Sequence, residues 1–287
     1  MHMTDYWKLS DDKLIGQLFS EGDGLPAAAV DEFLKRPYLT GELGRIVADP
    51  FNWNEPLPAG WAVVHAVYLL GAIGTPETVL PLLRSLRYAE ACENDWITED
   101  LPALFGKTGR PAVDGLRSVA SDRTTGWLGR AVALEGLAAV SLRHPEIADE
   151  LIRFIHGFFA DEDEDRKVRQ MAGHVLLDLL RQEYRAALMA FGTEEKTREE
   201  RDPSYRAAFT DADVEQEFRQ GEQALERYTR DWLAFYTPEA AKERRDRWAE
   251  EHRTRADAPE HAPENELCPF AADRKRKKCC MGKAGIA

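Results

Sequence analysis

Three of the four cysteines, Cys268, Cys279 and Cys280, fall in the last twenty residues, and five cations in a row, Arg274, Lys275, Arg276, Lys277 and Lys278, stand between them. Zinc held for structure takes four thiolate or imidazole donors in a tetrahedron. This tail supplies three thiolates. His261, seven residues before Cys268, offers a fourth donor across a Pro/Ala/Glu stretch; a water in the fourth place, or no metal, are the alternatives. Without zinc the thiols would lie beside Lys and Arg, which lower a thiol pKa and favour oxidation. The cationic run suits phosphate or an acidic protein face, with steep salt dependence in either case. No aromatic residue interleaves it, so stacking on bases is not expected. Folding back onto the acidic body is its bland alternative.

A second set of chemistry-bearing residues surrounds Thr98-Glu99-Asp100. Read locally, Thr98 caps a helix and the acids occupy its first turn. Read functionally, Glu99 and Asp100 join Glu93 and Asp95 on an acidic ridge, where raised carboxylate pKa values in a pocket would serve a metal-dependent or acid–base enzyme. The run Asp161-Glu162-Asp163-Glu164-Asp165 is read as solvated acids at a helix start with Asp165 as cap, and a basic partner or a divalent ion is the alternative. His65 and His174 are read as packed or hydrogen-bonded side chains, because no nucleophile stands near either at an activating spacing. Cys92 reads as a small buried residue. No phosphate-cradling glycine loop, His-Glu-x-x-His or Gly-x-Ser-x-Gly occurs.

The frame that must hold these groups is helical. Apolar residues recur at three- and four-residue spacing and strand patterns are nearly absent. Leu70-Gly71-Ala72-Ile73-Gly74-Thr75-Pro76 is matched thirty-five residues later by Phe105-Gly106-Lys107-Thr108-Gly109-Arg110-Pro111, and Pro145 follows thirty-four further on. Leu83-Arg84-Ser85 and Leu116-Arg117-Ser118 are read as twin ends of the helices that follow, and His65–Gly71 aligns with Arg130–Gly136. Glycine ends one helix in the left-handed conformation and proline opens the next. Each unit is therefore a helix pair whose apolar stripe needs a neighbour. Units are expected at 61–90, 96–121, 126–160 and 165–191, with an N-terminal helical cap over 10–48. A polar break follows over Thr193–Pro203. One amphipathic helix, Asp213–Tyr236, then carries Phe218, Leu225, Tyr228, Trp232 and Phe235 on one face. Thr237-Pro238-Glu239 opens a last helix to about Arg253. The helical domain thus spans 1–255, with capping helices over 213–253, a linker over 256–266 and the basic tail over 267–287.

Charge divides along the same line. Residues 268–287 hold six Lys or Arg against one Asp, +5, which leaves −18 of the net −13 for the rest. So acidic a body repels phosphate unless the tail binds it. Apolar residues at 44% and charged residues at 31% fit a globular chain. No apolar run approaches the roughly 20 residues that span a bilayer, and no signal peptide is expected. The few cysteines suit a reducing cytoplasm.

Two resemblances sharpen these expectations. Over about 10–235 the chain resembles an uncharacterised bacterial family built from HEAT-like helices, through Trp61–Leu70 and the string Ile97-Thr98-Glu99-Asp100-Leu101. That resemblance implies an α-solenoid and no activity. Residues 268–280, Cys-Pro-Phe-Ala-Ala-Asp-Arg-Lys-Arg-Lys-Lys-Cys-Cys, are similar to the SEC-C motif, Cys-Pro-Cys-Gly-Ser-Gly-Lys-Lys-Tyr-Lys-Lys-Cys-Cys. This motif closes the preprotein translocase motor SecA, where it binds zinc and contacts a chaperone and the ribosome. Phe270 replaces its second cysteine, and Ala271-Ala272-Asp273 replaces the Gly-Ser-Gly turn. Together the readings describe a non-enzymatic HEAT-like scaffold for protein or ribosomal partners. The tail is its second contact and zinc site, and an enzyme built on Glu99 and Asp100, or RNA binding by the tail, are the rivals.

Overall fold

Glycine, proline and short polar caps punctuate the chain. The computed structural model, which describes residues 5–92, 94–202, 204–256, 267–268 and 271–275, places helices between those marks. The fold is all-α, of helices packed against one another, and no helix among the described residues is long and apolar enough to cross a membrane. Two compact units divide it, Met1–Ala234 and Phe235–Ala287.

The first unit begins with α1 (Asp11–Ser20), α2 (Ala27–Leu34) and α3 (Thr40–Ala48). Eight helices follow in chain order: α4 (Ala62–Ile73) and α5 (Val79–Ala91), α6 (Asp95–Thr108) and α7 (Val113–Ser121), α8 (Trp127–Arg143) and α9 (Pro145–Ala160), and α10 (Arg166–Asp178) and α11 (Arg185–Arg201). The first helices lie side by side, α6 between α4 and α8, and α8 against α10. Their sequences explain why. Every residue of α4 from Ala62 to Gly71 and of α8 from Gly129 to Ser141 is buried, as befits helices apolar on most sides, with His65, Arg130 and Glu135 among the buried polar exceptions. The second helices bury one stripe each, such as Leu82, Leu86 and Ala89 on α5 and Leu151, Ile152, Ile155 and Phe159 on α9. Each buried Leu or Ile contributes about 1.5–3 kcal/mol.

The two glycines of each repeated string do different work. Gly74 (φ 62°) caps α4 in the left-handed conformation, and Gly109 (φ 73°) follows α6 with positive φ. Gly71 and Gly106 instead lie inside helices: a Cβ on Gly71 would fall 2.4 Å from Leu104 Cγ, so its bareness sets the approach of α4 to α6. Leu83-Arg84-Ser85 and Leu116-Arg117-Ser118 likewise sit inside α5 and α7, short of their ends.

Two further expectations fail on local grounds. The supposed break over 193–203 is helix as far as Arg201, because Glu194 and Arg198 pair one turn apart and Glu195 turns inward. The long helix over 213–236 is not continuous. Its first part, α12 (Asp211–Gln220), opens with a Thr210–Asp213 capping box and stops at left-handed Gly221; a single turn, α13 (Glu226–Thr229), and a short 3-10 stretch, Trp232–Tyr236, follow.

In the second unit, α14 (Pro238–Ala256) starts as the sequence suggests, with Thr237 Oγ1 accepting from the Ala240 N–H at 3.3 Å. Arg244 is buried; its Nη1 donates to Phe235 O at 2.7 Å and its guanidinium carbon lies 3.6 Å from the Phe235 ring centre. Two short antiparallel strands, β1 (Leu267–Cys268) and β2 (Ala271–Lys275), pair Cys268 with Ala271. Cys268, Arg274 and Lys275 are thus described as backbone only. Cys279, Cys280, Arg276, Lys277, Lys278, His261 and Glu93 lie outside the described residues.

Candidate functional site

Burial sorts the acidic ridge. Glu99 is exposed and Asp100 is buried, both in the first turns of α6. Asn94, rather than Thr98, caps that helix: its Oδ1 accepts from the Ile97 N–H at 3.3 Å, while the Thr98 hydroxyl turns back to the carbonyls of Asn94 and Asp95. Asp100 belongs instead to a set with one buried or partly buried carboxylate on each of three neighbouring first helices, the others being Glu135 on α8 and Asp178, the last residue of α10.

What brings these acids into one site is a strap. After Gly221 the chain runs back across the first helices in reverse order, with α13 packed on α6 and α8. At α10, Gln223 Nε2 donates to Leu179 O at 2.8 Å, the Ala224 N–H to Asp178 O at 3.1 Å and the Tyr228 hydroxyl to Asp178 Oδ2 at 2.5 Å. At α8, Arg227 pairs with Glu135: Nη2 donates to Oε2 at 2.8 Å, and Nε lies 2.6 Å from Oε1 without hydrogen-bond geometry. At α6, Arg230 Nη1 lies 3.2 Å from Glu99 Oε2 and 3.3 Å from Asp100 Oδ1. At α4, Trp232 Nε1 donates to Tyr68 O at 3.1 Å, and the Tyr68 hydroxyl reaches over to Asp100 Oδ2.

The electrostatics follow from this cover. Burial pushes the carboxyls of Asp100, Glu135 and Asp178 above the ordinary range, against the pull of Arg230, Arg227 and the tyrosine hydroxyls. Burial, helped by Asp178, also raises the Tyr228 phenol well above its usual value. Chemically, the face is a row of desolvated acceptors matched to guanidinium and hydroxyl donors.

The remaining sequence candidates are structural. His65 Nε2 lies 2.7 Å from Gly22 O, and His174 Nε2 lies 2.9 Å from Ala208 O. Cys92 is half-buried, and burial raises its thiol. Asp165 caps α10 as expected, accepting from the Lys167 and Val168 N–H groups. Glu164 departs from the solvated reading, being buried against Arg130. Glu195, unflagged in the sequence, is fully buried; it takes hydrogen bonds from Arg166, Gln170 and Tyr205 and from the Ala208 N–H. Among the described residues no cluster of three or more His, Cys, Asp or Glu gathers as a metal site.

A lone Glu135 in the otherwise apolar string Ala131–Leu137 was the readable signal of the covered face. No family model, curated protein or solved structure matches this chain.

Proposed function

We propose that the chain is a non-enzymatic scaffold, a HEAT-like α-solenoid, that binds a protein partner along the face shared by its first helices. The observation that carries this reading is the strap, a segment of two short helical turns and intervening irregular chain laid across four successive first helices and touching each through different groups. A surface that seats one such segment has the spacing and the acceptors to seat another.

Photo-crosslinking in cells tests it. A photoreactive residue at exposed Glu99 or Glu226 is expected to give one discrete adduct, whereas the same residue at exposed Arg153 on α9 is not. Adducts from Arg153 alone, or none from either face position, would dismiss the face as the binding surface.

The basic tail is proposed as a second contact, for the ribosome or another protein, tethered through residues 256–266; two linked weak contacts raise apparent affinity through effective concentration. Cys268, Cys279 and Cys280 are its proposed zinc ligands, in a reducing compartment such as the cytoplasm. Three thiolates leave the fourth position of the tetrahedron to a residue or water beyond that set. Native mass spectrometry of freshly reduced protein is expected to retain one zinc, lost in Cys279→Ser. A metal-free mass in the presence of excess zinc removes the metal from the tail's role.

A further inference from the structure

The strap is an unusual piece of core. Of its fourteen residues, 221–234, only Tyr228 and Trp232 are buried, while Gly221, Glu222, Gln223, Ala224, Glu226, Thr229, Asp231 and Ala234 are exposed. It holds the first helices chiefly through side-chain hydrogen bonds and ion pairs, and left-handed Gly221 marks where it departs from α12. Its own charge suits the face poorly: Arg227 and Arg230 meet Glu99, Asp100 and Glu135, but Glu222, Glu226 and Asp231 bring three more acids to an acidic surface.

We infer that residues 221–234 are an internal pseudo-ligand, and that the face beneath them takes a peptide segment of a partner carrying two arginines and an aromatic residue at the strap's spacing but without its acids. This rests on the scaffold reading and adds the partner's chemistry and a barrier to its binding. Two features of the face make the strap displaceable. The three carboxyls the strap contacts are buried and held above their ordinary range against the pull of its donors, so any water that lifting admits offsets part of the lost contact. A partner segment that replaces the strap's donors restores the same bonds and brings no further acids such as Glu222, Glu226 and Asp231 to the face. The strap, tethered in cis, competes at an effective concentration of millimolar order, so partners with weaker donors are excluded.

The probe is a labelled synthetic peptide of residues 221–234 carrying Glu222→Gln, Glu226→Gln and Asp231→Asn, titrated into the full chain. It is expected to bind an Arg227→Ala, Arg230→Ala double variant about tenfold or more tighter than wild type, because the internal competitor is weakened. Binding should fall steeply between about 50 and about 500 mM salt, and a scrambled peptide should not bind. A double variant that keeps its helical signal and cooperative melt, yet binds the peptide no better than wild type, overturns the inference. Should that variant not fold, hydrogen exchange on the wild type decides: amides of 222–234 are expected to exchange at least about tenfold faster than those of α6 and α8. Equal rates would mean that the strap opens only with global unfolding, and the inference would fail. Such a failure alongside crosslinks from Glu99 leaves the scaffold standing, whereas peptide binding without crosslinks removes the cellular partner and keeps the pseudo-ligand.

Discussion

Arg130→Met is expected to lower stability by about 3–5 kcal/mol, because it leaves Glu164 charged and buried with no cation beside it. Both side chains are 4% exposed. The guanidinium forks onto the carboxylate at 2.7 and 2.6 Å, its Nε donates to Ala120 O at 2.7 Å, and its carbon lies 5.7 Å from the Phe158 ring centre. In a chain of this size the loss corresponds to a melting temperature roughly 10 °C lower, read by circular dichroism. Glu164→Gln keeps an acceptor for the guanidinium and should cost less, about 1–3 kcal/mol.

The pH dependence carries a definite sign. The Arg130 hydrogen bonds, working against burial, hold the Glu164 carboxyl below the ordinary range. A carboxylate with a depressed folded pKa contributes stability that is present above its unfolded pKa and lost as pH falls through the folded value. The gap between wild type and Arg130→Met should therefore be widest near neutral pH and narrow in acid, where the variant's stranded Glu164 also takes up a proton. A gap constant from neutral pH down through the carboxylate range would show that packing of the Arg130 stem, and not the charge pair, holds α8 to the turn before α10.

The helix boundaries were legible because their signals are local. Gly74 and Pro76, like Gly109 and Pro111, fix where one helix stops and the next starts through backbone conformations that depend on nothing distant. The strap was not legible, for the opposite reason. Leu225, Tyr228 and Trp232 keep a helical spacing that continues that of α12, and the partners that draw the chain out of a helix lie far away in sequence. Tyr228 meets Asp178 fifty residues back, and Trp232 meets Tyr68 at a separation of 164. Gly221, whose left-handed geometry ends α12, was the single local hint. The acidic run 161–165 shows the same limit on a smaller scale. Its composition says that acids cluster there, but only the position of Arg130 thirty-four residues earlier decides that Glu164 turns inward. Glu195 is a third instance, since its acceptors are filled by α10 and by the loop through Tyr205 and Ala208.

The strap's own charge pair should respond asymmetrically when its members are removed one at a time. Glu135 is 3% exposed and Arg227 38% exposed. Taking away Arg227 leaves a buried anion, whereas taking away Glu135 leaves a cation that already reaches water. Arg227→Met is thus expected to cost about 2–3 kcal/mol at neutral pH, below the full figure for a buried pair because the guanidinium is partly screened. Glu135→Gln should cost under about 1 kcal/mol. Burial raises the Glu135 carboxyl, with Arg227 opposing it, so the variant without Arg227 titrates higher still. A raised folded pKa gives stability that is present in acid and lost as pH climbs through that value. The Arg227→Met deficit should then shrink in acid and grow toward neutral pH, while the Glu135→Gln deficit runs the other way, because the wild type's own Glu135 loses its contribution as pH rises and Gln does not titrate. Because the strap can lift and let water reach Glu135, much of the Arg227→Met loss should surface as faster exchange of the amides of 222–234 before any change in α8. Equal costs for the two substitutions, with no pH dependence in either, would mean that Tyr228 and Trp232 hold the strap by packing alone, and the acidic face would lose its claim to select an arginine-bearing partner.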